Sequence, residues 1–429
     1  MTSKSPKGVA APSTRIDRII SPLGIEAWLV EDYTVPIVSM DFAFVGGGSQ
    51  DPVDQHGLSN LLADLLSEGA GDLDTQAFQE MLEEYAIEID FNSNKDRIDG
   101  SLRTLRQNTD LAFDLLAKTI NAPRFDDAAV ERSKSQILAG LKQQETDPDS
   151  LVWRTFLRKA YGEHPYGSAA HGSLASVPGL ARADLVSAHR TRFARSALKI
   201  AVVGAISASE LGKALDRVFG ALPATFTHGE IADVEMAGIG ERAIATLAVP
   251  QSTLVLGRSG FARRDARFIP AYIVNHILGG GSFTSRLWNE VREKRGLAYS
   301  VWSQLSTSRH TSAFFAGTTT GNEKAAEATA IIEAEVARMA EKGPKPGEFD
   351  KAMKYLIGSY ALRFDTSRKI ANHLVEIQVE DLGIDYIANR NQRFAAVALK
   401  DTREAAAQLL GDAKLLVVAA GQPAGISSS

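Results

Sequence analysis

The sequence predicts an α+β protein made of two tandem α/β halves, each a mainly antiparallel sheet packed with helices. Three observations carry that prediction. Residues 24–32 and 36–45 alternate apolar with polar side chains, are rich in β-branched and aromatic residues, and flank a turn near residues 33–36. This is the pattern of paired strands. The pattern recurs downstream: Val38 maps onto Thr253 and Ile200 onto Leu415, both at an offset of 215 residues. Two landmarks sharing one offset mark a tandem duplication. Between the copies, the weakly patterned, glycine-containing stretch 223–240 reads as a linker joining an N-terminal half (15–222) to a C-terminal half (241–422).

The elements follow in order. Gly46-Gly47-Gly48 ends the second strand, and helical periodicity runs through Leu58, Leu61, Leu62, Leu65 and Leu66 until Gly69-Ala70-Gly71 stops it. A helix at 75–85 leads into strands at 87–93 and 97–104. Helices are predicted at 108–121 and 126–145, the second ending at Asp147-Pro148. After the turn-rich His164-Pro165-Tyr166-Gly167 come a helix at 182–193, the apolar strand 198–204 and a helix at 207–219. In the second half 253–256 is a strand. Ile269, Tyr272, Ile273, His276 and Ile277 keep helical spacing, and a helix at 400–410 precedes strand 415–419.

Composition excludes several classes. The chain has 429 residues, too many for one core. With 44% hydrophobic and 23% charged residues it has the make-up of a soluble globular protein. Its 47 basic and 52 acidic residues are spread along the chain without a basic block, which argues against nucleic acid as a partner. Cysteine is absent, so disulfides, thiolate metal sites and cysteine nucleophiles are excluded. No run of about 18 apolar residues exists, and no membrane insertion is expected. Met1-Thr2-Ser3-Lys4-Ser5-Pro6-Lys7 is basic but lacks an apolar stretch behind it. It is not a secretory signal as it stands, and reads like a leader left after a signal is removed.

Zinc hydrolases that seat two ligands on one helix place histidines at i and i+4, where both side chains share a face. Of the eight histidines here, no two are closer than His164 and His171, so neither H-E-x-x-H nor H-x-x-E-H occurs. No G-x-S-x-G elbow is present. The glycine-rich segments at 45–48 and 278–282 lack the residues of a phosphate loop. The most informative stretch is 278–301. Gly279, Gly280 and Gly281 permit a sharp turn. Ser285 suits the N-cap of a short helix burying Leu287 and Val291, and Gly296 suits its end. Tyr299 then opens a strand in which Tyr299, Val301 and Ser303 share a face. Arg292 and Tyr299 are thereby brought close. Spacing alone leaves two readings: a pair that binds a carbonyl or carboxylate, or an exposed arginine beside a packed tyrosine.

The run L-G-G-G-x-x-x-S-R-L-x-x-x-x-R-E-x-x-G-L-A-Y-S-V, starting at Leu278, resembles the C-terminal-half signature of the pitrilysin/insulinase-type (inverzincin) metallopeptidases, in their bacterial short-chain branch. The resemblance extends over about residues 15–422. It implies that Arg292 and Tyr299 hold the substrate backbone near the scissile bond, and that the two halves form one half of a clamshell. The family's zinc helix reads G-L-x-H-x-x-E-H-x-L-x-x-G. Here the matching run is 57–69, in which Asn60 and Asp64 stand for the ligand histidines and Ala63 for the general-base glutamate. The third ligand, a glutamate, would fall near Ala139-Gly140-Leu141, where no carboxylate exists, and Glu131 lies about two turns too early.

The resemblance therefore implies a chain that is inactive alone and carries no cofactor. It would support a zinc-bearing homologous subunit in a heterodimeric peptidase and bind the peptide substrate through Arg292 and Tyr299. A periplasmic location is implied in the same way. A non-proteolytic binding or assembly subunit, like the core-type relatives of respiratory complexes, is the alternative. A self-sufficient hydrolase with an unfamiliar site is a third, distant reading.

Overall fold

The computed structural model describes residues 15–226 and 229–428; the leader reading of residues 1–7 lies outside them. The first sheet contains β1 (Asp17–Ile20), β2 (Glu26–Glu31), β3 (Ile37–Val45), β4 (Glu88–Ser93), β5 (Arg97–Leu105) and β6 (Leu198–Gly204). The second contains β7 (Arg242–Thr246), β8 (Gln251–Ser259), β9 (Ala298–Thr307), β10 (Ser312–Gly321) and β11 (Leu416–Gly421). Helices α1 (Leu58–Leu65), α2 (Thr75–Glu84), α3 (Thr109–Asn121), α4 (Asp127–Gln144), α5 (Pro148–Tyr161), α6 (Arg182–Arg192) and α7 (Ala208–Phe219) belong to the first half. Helices α8 (Phe268–Asn275), α9 (Ala325–Lys342), α10 (Pro346–Gly358), α11 (Ser367–Val379), α12 (Tyr386–Ala395) and α13 (Leu399–Leu410) belong to the second. Among the described residues no helix is long and apolar enough to cross a membrane.

The strand orders carry the duplication. They are β1-β2-β6-β3-β5-β4 and β7-β11-β8-β10-β9, identical once the extra edge strand β1 is set aside. Each sheet has one parallel pair, β2 with β6 and β7 with β11, and is otherwise antiparallel. Strands β2 and β3, expected from their sequence to pair, are instead separated by β6. The correspondence reaches single residues. Gly204 and Gly421 end equivalent strands at φ of 136° and 133°. A Cβ at either would strike the neighbouring strand, at the carbonyl oxygen of Ile37 or of Gln251. Only glycine fits both constraints.

The central strands are buried on both faces, so their alternate side chains enter two different cores. In β3, Met40, Phe42 and Phe44 join the core shared with α1, α3 and α7, whereas Ala43 faces the other way. In β11, Val417 and Ala419 face α9 and α13, and Leu416, Val418 and Ala420 face the opposite side. What covers those opposite sides comes from the other half. Helix α5 lays Val152, Phe156 and Ala160 against the second sheet. Helix α11 lays Ala371, Leu374, Val375 and Ile377 against the first. The two halves thus exchange equivalent helices. Polar bonds hold the exchange: Thr253 of β8 donates to Asp149 of α5 at 2.7 Å, and Gln378 of α11 donates to the carbonyl of Ile200 at 2.8 Å.

Asp147-Pro148 acts differently from its sequence reading. It does follow the end of α4, but it also starts α5. The Asp147 carboxylate accepts the Ser150 N–H at 2.8 Å and Pro148 occupies the first turn, where a missing N–H costs nothing.

Candidate functional site

Helix α1 carries the residues matched to the zinc motif. Its start is fixed by a buried network. The Asp51 carboxylate accepts the N–H groups of Gly57 (3.0 Å) and Ser59 (3.1 Å) and the Ser59 hydroxyl (2.7 Å), and pairs with Arg192 of α6 at 2.7 Å. Arg192 also donates to the Ser59 hydroxyl. Both charged side chains are almost sealed from solvent, at 1% and 6% exposure. Removing either partner of a buried pair of this kind strands the other charge without solvent. The sequence reading missed this network, whose key contact spans 141 residues.

On the face of α1, Asn60 and Asp64 lie one turn apart and touch only at a long 3.5 Å. The Asn60 side-chain oxygen accepts from Nδ1 of His171 at 2.8 Å, a residue from the segment after α5 that the motif did not include. Desolvation by the surrounding protein, and secondarily the Glu68 carboxylate, raise the Asp64 carboxyl to about 6, although the residue still reaches solvent. Ala63 points elsewhere: it is 1% exposed and belongs to the apolar core of the first half. On α4, Leu141 is buried, Gly140 faces open space, and Glu131 pairs with Lys134 at 3.1 Å. Among the described residues no group of three or more His, Asp, Glu or Cys side chains is arranged to hold a metal. An amide, a buried methyl group and one carboxylate do not fit a zinc centre that needs three protein ligands.

In the second half, two helical segments have widened, π-type spacing: His276–Gly280, which takes in the first two of the three glycines, and Trp288–Glu293 after them. Gly279 is required by contact: a Cβ there would lie 2.5 Å from the backbone nitrogen of Ser303 on β9. Ser285 caps the following turn by accepting the Trp288 N–H at 3.3 Å, with Leu287 and Val291 fully buried. Gly296, at φ 59°, ends it, donating to the Arg292 carbonyl at 2.9 Å. The chain then enters β9 through an irregularity. Thr318 pairs with Val301 but Thr320 with Ala298, so Tyr299 and Ser300 together face one residue of β10. This is a bulge, which re-aims side chains next to it. The Thr318 hydroxyl, donating to the Ser300 carbonyl at 2.6 Å, holds it in place.

The result is a stack. The Arg292 guanidinium lies over two rings, 4.1 Å from the Trp288 centroid and 4.8 Å from that of Tyr299, close enough for cation–π attraction to both. Phe283 meets Trp288 edge to face at 4.5 Å. Tyr299 is 83% exposed while Arg292 is half-buried, the reverse of an exposed arginine beside a packed tyrosine. Among the described residues, neither the Arg292 guanidinium nor the Tyr299 hydroxyl has a hydrogen-bond or ion-pair partner, whereas Trp288 donates to Glu293 at 3.1 Å. The slabs that orient Arg292 leave its donors unused. Trp288, the missed member of the site, stands four residues before Arg292, the spacing that makes neighbours on a helix.

Comparisons with known proteins agree with this architecture. The insulinase (peptidase family M16) model matches residues 28–173, and the model of the peptidase M16 inactive domain matches residues 179–356. The chain is 28% identical over 340 residues to the "Non-peptidase homolog YmxG" of Helicobacter pylori, covering 78% of each. It is 26% identical over 381 residues to the "Uncharacterized zinc protease SCO5738" of Streptomyces coelicolor, covering 86% of this chain and 82% of the relative. The crystal structure of a peptidase M16 inactive domain from Pseudomonas fluorescens superposes with a TM-score of 0.90 at 26% identity, over 97% of this chain and 99% of that one. The chain belongs to the insulinase (M16) peptidase family, in the branch that lacks the H-x-x-E-H zinc motif.

Proposed function

We propose that this protein is the zinc-free supporting subunit of a heterodimeric metallopeptidase, binding the peptide substrate through Arg292 and Tyr299 in the active site of a zinc-bearing homologous partner. One observation carries the reading: an oriented guanidinium and an exposed phenol stand side by side with both polar ends unpartnered. Together they match the donor set that fixes a peptide carbonyl or a terminal carboxylate. The Asn60, Ala63 and Asp64 substitutions supply the other half of the argument, since they remove the means to activate water in this chain. A relative named as a non-peptidase homolog is in keeping with this. The reading keeps the periplasmic location implied by the family resemblance, which fractionation of cells producing the native chain tests.

The deciding experiment mixes the chain with a zinc-bearing homologous subunit, verifies the heterodimer by size, and follows cleavage of a short peptide. Tyr299→Phe removes only the hydroxyl. Loss of a donor that acts in the transition state lowers kcat roughly 10²–10³-fold. Wild-type rates in the assembled Tyr299→Phe complex would instead favour the non-proteolytic binding or assembly role.

A further inference from the structure

The first sheet has a second face whose chemistry the clamp does not use. On the side facing α11, cross-strand register lines up polar residues in rows. Asp41 stands opposite Ser101, itself opposite Asp90; Ala43 stands opposite Asp99, itself opposite Asn92. Helix α11 packs on β3 and β6 and leaves a cleft of about 800 Å³ beside β5 and β4. Such a volume suits a ligand of drug or short-peptide size.

The two walls lean to opposite signs. The sheet contributes Asp41, Asp90 and Asp99 against the cation Arg97, and the helical wall contributes Arg363, Arg368 and Lys369 against the carboxylate Glu376. Some of these charges are committed, Asp99 to Arg97 at 2.7 Å and Lys369 to Asp365 at 2.8 Å. Others are not. Asp41 is only 8% exposed, yet among the described residues its carboxyl has no hydrogen-bond or ion-pair partner. Arg363 and Arg368 have none either. Arg368 is near enough to influence Asp41 electrostatically without bonding to it. Buried polar groups are ordinarily satisfied, and one left open at the floor of a cleft marks a place for a ligand donor. A ligand positive at one end and negative at the other satisfies both walls.

We infer that this cleft binds short zwitterionic peptides, the α-ammonium on Asp41 and the terminal carboxylate on Arg368 and Arg363. This goes beyond the substrate clamp, uses none of its residues, and does not depend on a partner subunit.

Calorimetric titration of the full chain with the dipeptide Ala-Ala tests it, alongside N-acetyl-Ala-Ala and Ala-Ala amide. Saturable binding of the free dipeptide is expected, weakened at least about tenfold by either cap, since each removes one charge. Arg368→Gln, a surface change, weakens binding by about the same factor, and so does Asp41→Asn. In a Tyr299→Phe background, where the clamp is weakened, Arg368→Gln still lowers the remaining binding by about the same factor, which separates this site from the clamp. The proposal is overturned if Ala-Ala does not bind, if the capped forms bind as well as the free one, if Arg368→Gln has no effect, or if Tyr299→Phe abolishes binding. Should Asp41→Asn fail to fold, Arg368→Gln and the capped dipeptides decide the matter alone.

Discussion

The guanidinium carbon of Arg292 stands 4.8 Å from the ring centroid of Tyr299 and 4.1 Å from that of Trp288. A planar, delocalised cation uses both rings at once; a compact ammonium on a flexible stem does not. Arg292→Lys therefore keeps the charge but loses the orientation. In the mixed heterodimer it is expected to lower kcat/KM by roughly 10–10²-fold. Its effect on stability should stay within about 0.5 kcal/mol, because the donors it removes bond to nothing in the chain. Peptide kinetics and thermal melts measure the two effects separately. Full activity in the lysine variant would leave the stack without a role in binding.

Much of this architecture was legible in the chain because strands and amphipathic helices announce themselves locally. The repeat anticipated two sheets of one topology, but its register was off. The equivalent glycines Gly204 and Gly421 are 217 residues apart and the carbonyls they abut, at Ile37 and Gln251, are 214 apart, so one offset of 215 does not hold. The short helix between Ser285 and Gly296 was found with its cap and its buried face. Helices α9, α10 and α12 and strand β10 went unread. Much of what else escaped was long-range. Helices α5 and α11 went unread, and each covers a sheet in the opposite half, a destination that periodicity does not encode. The bulge at Tyr299 and Ser300 depends on the register of β10, so simple alternation mis-aims Tyr299. His171 reaches Asn60 across 111 residues, and no local motif foretells that contact.

Rebuilding the zinc motif is expected to fail twice. Asn60→His, Ala63→Glu and Asp64→His together restore the motif's residue types but provide no third carboxylate on α4. Zinc affinity should stay weaker than about 1 μM. Ala63 is also sealed in the apolar core, so a carboxylate there costs on the order of a few kcal/mol. Zinc titration and chemical denaturation of the triple variant report on both. Tight zinc binding that His171→Ala abolishes would show that this histidine completes a site.

Helix exchange ties the two halves into one folding unit. Phe156 is fully buried, belongs to the first half, and packs edge to face on Phe315 of the second sheet at 5.5 Å. Phe156→Ala should cost about 3–5 kcal/mol. Its melt should remain a single transition, because the rest of α5 and all of α11 still couple the halves. Calorimetry distinguishes this from a first half that melts early by itself, which would mean that the exchanged helices contribute little coupling.

The final prediction concerns pH and Asp41. Burial is the main cause that pushes its carboxyl up to about 7; Arg368 on α11 opposes the shift, and Asp99 on β5 adds to it. The unfolded chain should show the ordinary value, near 3.9. The native state then holds this proton more tightly than the unfolded state does. Its stabilising contribution is complete below about pH 4 and is lost as pH rises through about 7. Asp41→Asn removes the titration and leaves a neutral group in a similar volume. Between about pH 5 and pH 8 the stability of the variant relative to wild type should rise by roughly 2–3 kcal/mol. Comparing the two proteins cancels the titration of groups they share. Urea unfolding at both pH values reads the difference directly, and a gap that does not change with pH would mean that Asp41 is ionised in the native state throughout.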